Sequence, residues 1–260
     1  MKKTNFLSKI SYSTNISNET TFLPSLNPVK VNGFSDITSK SIVVFGSNLT
    51  STLGISFTLN QLSMVNLAPY QRSVIIGLLL SDGWLRFSNQ RSKNARLGFK
   101  QSLAHFSYFW YVFNVLAHYC SSFPLFIINQ RKGTTTYALE ILTRAMPCIT
   151  EIHELFYVNG KKIVPNNIYE LLDPVALAHL IMGDGSYLEG GGLLLCTDSY
   201  SIQEVVILIN VLIIRYKLKC TIRVRNKNQY RIYISRSSIK ILQSFVSSYI
   251  ESSMLYKIHL

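Results

Sequence analysis

The chain has 260 residues, enough for one large domain or for two of about 100 residues each. Hydrophobic residues make up 48%, with 15 Tyr and 14 Phe, which supplies a core and excludes disorder over most of the length. Lys and Arg number 26 against 13 Asp and Glu, a formal charge of +13 that points to a polyanionic partner. Residues 1–41, rich in Ser, Thr and Asn, read as a poorly ordered leader. Pro69 to Asp82 reads as a helix, with proline in its first turn and Gly83 just beyond its end. Strands follow at Trp84–Phe87 and Ala95–Gln101, then a helix from Leu103 to about Cys120 capped by Ser102. Strands Pro124–Gln130 and Thr134–Leu142 flank the turn Arg131-Lys132-Gly133, and a helix from Pro147 to Tyr157 closes the first half.

The order then repeats. Asp173-Pro174 starts a helix that runs to Asp184-Gly185. Strands at Ser186–Leu188 and Leu193–Thr197 flank a glycine turn, and Ser201 with Glu204 forms a capping box for a helix through Ile214. A hairpin of Cys220–Arg225 and Gln229–Ser235 precedes a last helix near Ser237. The expected class is α+β: two pseudo-symmetric αββαββα halves, 42–168 and 169–260, packed through the first helix of each, with antiparallel sheets forming a saddle.

Membrane and redox readings find no support in the sequence. The longest apolar run, Val205–Ile214, is interrupted by Asn210, and a spanning helix needs about 18–20 residues. The start of the chain lacks the apolar region of a secretory signal. Cys120, Cys148, Cys196 and Cys220 include no C-x-x-C pair, so neither a zinc site nor a disulfide framework is indicated. No membrane partner is expected.

Charge is distributed unevenly. Between Asp82 and Glu140 lie seven Lys or Arg and no acid; between Glu204 and Glu251 lie nine and no acid. A solvated surface mixes signs, so two acid-free basic stretches suggest two halves facing one polyanion. In the hairpin, Ile222 and Val224 alternate with Arg223 and Arg225, and Ile232 and Ile234 with Arg231 and Tyr233. Period-two alternation sends the aliphatics beneath the sheet and the polar side chains to its face. A β-ribbon of this kind fits the major groove of DNA. Arg86, Arg96, Lys100 and Gln101 occupy similar strand positions in the first half, and Arg131 and Lys132 sit at a turn suited to clamping phosphates.

The two first helices end alike, IIGLLLSDG at 75–83 and LAHLIMGDG at 177–185. One copy reads as a buried helix ending in an Asp-Gly turn. Two copies, each before a basic β-layer, suggest helices packed in parallel, with Gly77, Ser81 and Gly183 allowing close approach. That packing gathers Asp82 and Asp184 at two negative helix ends, where a cation is needed and hard oxygen ligands suit Mg²⁺.

These motifs, with KKIVPNN (161–167), LLDPVALAHLIMGDG (171–185), CTDSYS (196–201) and SMLYKI (253–258), resemble the LAGLIDADG homing endonucleases in their two-motif, single-chain form. The resemblance covers about residues 42–258 and implies a monomer that cleaves double-stranded DNA at a long non-palindromic site with Mg²⁺, Mn²⁺ serving as substitute. It implies metal ligands at Asp82 and Asp184, helped by the carbonyls of Ser81 and Gly183, and catalytic lysines at Lys162 and Lys257. It further implies a mitochondrial, intron-encoded origin. The alternative is a maturase acting on its host group I intron RNA. Taken alone, Lys162 reads as part of a solvated loop and Lys257 as part of a frayed tail. His179 stands where the motif has a small residue, which predicts looser packing there.

Overall fold

The computed structural model describes residues 52–131 and 134–260; the expected leader, Lys132 and the side chain of Arg131 lie outside the described residues. A short helix, α1 (Leu59–Met64), opens with a capping box between Thr58 and Gln61. α2 (Pro69–Leu80) follows, almost wholly buried from Ser73 to Leu80. It ends two residues earlier than the sequence suggests. Ser81 leaves helical geometry, and the N–H groups of Ser81 and Gly83 both return to the Leu78 carbonyl, at 3.1 and 2.7 Å.

The first sheet has the order β1-β2-β4-β3, built from β1 (Trp84–Phe87), β2 (Ala95–Ser102), β3 (Leu125–Arg131) and β4 (Thr134–Leu142). α3 (Phe106–Leu116) connects the two strand pairs and is preceded by a 3-10 turn that Ser102 caps. α4 (Pro147–Phe156) leads into a small hairpin, β5 (Tyr157–Val158) and β6 (Lys161–Lys162), then into α5 (Ile168–Leu171). Lys162 therefore lies on a strand and not in a loop.

The second half has α6 (Pro174–Asp184), β7 (Gly185–Tyr187), β8 (Leu193–Leu195), α7 (Ile202–Tyr216), β9 (Cys220–Asn226), β10 (Gln229–Ile234) and α8 (Ile239–Val246). Its sheet order, β7-β8-β10-β9, repeats that of the first, and every pairing in both sheets is antiparallel. The duplicated αββαββα plan of an α+β protein is thus present. The chain end is also ordered: a 3-10 segment, Ser252–Ile258, buries Met254, Lys257 and Ile258 and is no frayed tail. No helix of the described residues is long and apolar enough to cross a membrane.

α2 and α6 run side by side in the same direction. Ser73 donates to the Asp173 carboxylate at one end, Gly77 faces Ala176 and His179 midway, and Gly183 faces Ser81 and Asp82 at the other end. Each step along one helix is matched by a step along the other, which is the signature of parallel packing. A methyl group at Gly77 would collide with the Ala176 carbonyl and lie 2.5 Å from His179 Cβ. Only glycine admits this approach, and the apolar side chains buried around it each contribute about 1.5–3 kcal/mol. His179 does not loosen the packing. It is fully buried, its Nδ1 shares a hydrogen bond with the Tyr108 hydroxyl at 3.1 Å, and its ring stacks on Tyr111. The missing side chain at Gly77 makes room for its Cβ.

Strand alternation holds where helices cover the sheet and fails where they do not. Ile232 and Ile234 on β10 are fully buried, but Val224 on β9 is 66% exposed and Ile222 is exposed as well. β9 is an edge strand, and its residues from Thr221 to Asn226 are exposed on both faces. The β3–β4 hairpin likewise leaves Phe126, Ile128 and Tyr137 exposed.

Candidate active site and nucleic-acid face

Asp184 closes α6, and Asp82 lies two residues beyond the end of α2. Parallel packing brings them to one point, where Asp82 Oδ2 stands 3.3 Å from the space a Gly183 side chain would fill. Burial pushes the Asp184 carboxyl up to about 7, and the Asp82 charge adds to the effect. Lys162 and Lys257 act in the opposite direction. Among the described residues no cluster of three or more His, Cys, Asp or Glu could hold a metal on its own. The available donors are hard oxygens from two carboxylates and the neighbouring carbonyls, which fit Mg²⁺ or Mn²⁺ completed by water and phosphate.

A lysine lies across each helix end. Lys162 Nζ donates to the carbonyls of Ser81 and Gly83, at 3.2 and 3.1 Å. Lys257 Nζ donates to the carbonyls of Met182 and Gly183. The positive charge offsets the negative end of each helix dipole. Burial lowers the pKa of both lysines, and the two aspartates pull it back up. The Ser81 and Gly183 carbonyls thus accept one hydrogen bond each from lysine, and each oxygen retains a second lone pair.

Both lysines are held from behind by contacts the sequence reading did not anticipate. The Glu204 carboxylate, besides its capping role, accepts the Val164 N–H at 3.0 Å and so fixes the strand that carries Lys162. Gln243 donates to the Ile258 carbonyl at 2.7 Å, one residue from Lys257. The Tyr200 hydroxyl of the CTDSYS segment donates to the Leu80 carbonyl at 3.2 Å, tying the second half to the end of α2. Ser201-x-x-Glu204 was visible as a cap; its second partner, 40 residues back, was not.

Gln101, placed by sequence among the groove-facing residues, instead donates to Asp82 Oδ2 at 2.5 Å. Arg86 pairs directly with Arg96 across β1 and β2, and Arg223 pairs directly with Arg231 across β9 and β10. Like charges opposed in this way are destabilising without an anion between them. Arg223 lies over the Tyr233 ring at 3.9 Å. Lys100 faces Glu140 across β2 and β4. Arg131 ends β3 opposite Thr134, and Lys132 falls outside the described residues.

Arg231 is not free, as its alternation had suggested. Its Nε and Nη2 grip Asp198, with Nε to Oδ1 at 2.8 Å and Nη2 to Oδ2 at 2.6 Å, while Arg225 stands 3.6 Å from the same carboxylate. These are the only ion pairs among the described residues. Period-two reading finds the face of a strand but cannot see an acid arriving from another segment.

Known proteins share this arrangement. The sequence profile of the LAGLIDADG DNA endonuclease family matches residues 72–242. The cytochrome b mRNA maturase bI2 of Debaryomyces hansenii is 31% identical over 190 residues, covering 71% of this chain and 72% of its own. The intron-encoded endonuclease ai4 of Dictyostelium discoideum is 38% identical over 121 residues, 46% of this chain and 76% of that one. Among solved structures, the homing endonuclease I-WcaI bound to its DNA recognition sequence superimposes with a TM-score of 0.73 at 25% identity, covering 81% of this chain and 97% of that one. The motif pair at the ends of two parallel helices, the repeated sheets and the profile match lead to one statement: this chain belongs to the LAGLIDADG DNA endonuclease family.

Proposed function

We propose that the chain is a monomeric homing endonuclease that makes a double-strand break in DNA at a long, non-palindromic site, with Mg²⁺ as the natural ion and Mn²⁺ as a substitute. The observation that carries this reading is the intact pair Asp82 and Asp184 at adjacent helix ends, each end crossed by a lysine, half-buried Lys162 at one and buried Lys257 at the other. An RNA chaperone needs neither the carboxylates nor their unfavourable proximity. A divalent ion bound here would polarise water and phosphate oxygen for hydrolysis. The chain's own residues do the rest. Asp82 and Asp184 would hold the ion, and Gln101 restrains Asp82. Lys162 and Lys257 present ammonium groups to the charge that develops on the reacting phosphates.

In this reading Arg86, Arg96, Lys100 and Arg131 with Lys132 hold one half-site, and Arg223, Arg225 and Tyr233 the other. The unrelieved Arg86–Arg96 pair supports it, because two opposed guanidinium groups are stabilised by the phosphates they would bind. The test is direct: purified protein with Mg²⁺ is given a plasmid carrying the intronless form of its host gene. A linear product supports the assignment, and binding without any cleavage rejects it. A second reading, a maturase of a mitochondrial group I intron RNA, is supported by the relative named as a cytochrome b mRNA maturase. Accelerated splicing of the host intron by an Asp184→Asn variant would favour it.

A further inference from the structure

The two sheets reach their aspartates on the same rung with different side chains. In the first, Trp84 pairs with Gly98, Asp82 two residues before it accepts from Gln101, the neighbour of Lys100, and Lys100 faces Glu140. In the second, Gly185 pairs with Leu195, and the Cys196 N–H donates to the Asp184 carbonyl at 2.9 Å, so Cys196 takes the place of Lys100. Leu195 pairs with Ile232, and the next rung sets Arg231 opposite Cys196, where the first half has Glu140. The cation of this rung has changed strands. It stands on β2 in one half and on β10, the counterpart of β4, in the other.

Arg231 is also unlike the other arginines of its sheet. Its side chain is 18% exposed, against 57% for Arg225. Asp198 takes its Nε and one edge of Nη2, leaving Nη1 without a partner among the described residues. An acid on a surface meant for DNA repels phosphate. Such a residue is useful there only if it fixes something the site needs. The strand register sets Arg231 across from Cys196, whose N–H is bonded to the Asp184 carbonyl, so its backbone position lies one strand from the aspartate.

We propose that Arg231 is the phosphate-contacting cation of the second half's cleavage site, the counterpart of Lys100 in the first, and that Asp198 is the positioning residue that aims it. This rests on the endonuclease reading above. It removes Arg231 from the base-reading set and makes the two cleavage sites chemically unequal, one served by an ammonium and one by a buttressed guanidinium.

Single-turnover cleavage of a supercoiled plasmid carrying the intronless junction, with Mg²⁺ and strand-resolved products, tests the assignment. Arg231→Ala is expected to slow one strand by about 10²-fold and the other by less than about threefold, so that nicked circles accumulate. Lys100→Ala is expected to nick with the opposite strand preference. Arg231→Lys should recover part of the rate, and the set of cleavable site variants should not change. Asp198→Asn should slow the same strand as Arg231→Ala, by about tenfold, and add nothing when combined with it. Asp198→Asn and Arg231→Lys keep side-chain volume, and their melting temperatures separate misfolding from misaiming. Equal slowing of both strands, a shifted base preference in Arg231→Ala, or additive losses in the double variant would overturn the proposal. Wild-type protein that binds the junction and cuts neither strand would instead reject the endonuclease reading itself.

Discussion

Asp82 is exposed beyond the end of its helix and is restrained by an amide, Gln101. Asp184 is the last residue of its helix, is partly buried, and has for neighbours Cys196 and the Arg231–Asp198 pair. Their lysines differ too. Lys162 sits on a two-residue strand followed by Val164, which Glu204 of the other half pins, whereas Lys257 is 7% exposed and its segment is held by Gln243 of α8 in its own half. A duplicated backbone has therefore kept two carboxylates and two ammonium groups in register while their supports diverged. Support from behind a helix end is replaceable. The position of charge at the helix end is not, because it is set by the parallel packing of α2 and α6.

The largest test of the comparison removes one carboxylate at a time. Asp82→Asn and Asp184→Asn should each reduce double-strand cleavage by a thousandfold or more, on the order of the loss seen when transition-state charge loses its stabiliser, with DNA binding retained. Their stabilities should differ. The folded pKa of Asp184, about 7, lies above its ordinary value of 3.8, so its ionised form opposes folding fully above pH 7 and ceases to do so as pH falls toward 4. Metal-free Asp184→Asn should therefore be more stable than wild type at pH 8, by about 2–4 kcal/mol, with the gain vanishing near pH 4. Chemical denaturation at several pH values measures it, and a gain that grows with acidity would refute the electrostatic account. Ca²⁺ should sustain DNA binding without cleavage, read by gel shift and by plasmid cutting in parallel.

Next come the lysines. Lys162→Met and Lys257→Met should each slow one strand by about 10²-fold and leave nicks on opposite strands, with affinity nearly unchanged. Equal slowing with weaker binding would make them ordinary phosphate contacts and would dissolve the distinction between the two corners.

A smaller effect concerns what the corners share. Gly77→Ala should lower stability by about 1–3 kcal/mol, because its methyl meets the Ala176 carbonyl and His179 and the helices must part. Gly183→Ala meets Ser81 and Asp82 instead, so it should reduce cleavage more than it reduces the melting temperature. Thermal unfolding together with cleavage rates separates the two.

The smallest effect distinguishes the two basic faces. Arg86→Ala or Arg96→Ala should reduce the slope of log affinity against log salt by about one, equally for every DNA sequence. Arg223→Ala should instead relax preference at one base position, at a cost of about 1–3 kcal/mol, visible in a profile of cleavable variants.

Local pattern in the sequence carried a large share of this. Proline at a first turn, Ser102, Asp173 and Ser201 as caps, and alternation in β10 carried the element order, since each depends on residues within four positions of one another. The repeated helix ends gave Asp82, Asp184 and, through resemblance, the lysines. Other features depended on residues far apart in the chain. Glu204 reaches Val164, Asp198 closes on Arg231, Gln101 turns to Asp82, and the edge strand β9 leaves Val224 exposed. Periodicity reports which side of an element a residue occupies. Which partner waits on that side is decided by packing between elements distant in sequence, and so by the tertiary structure alone.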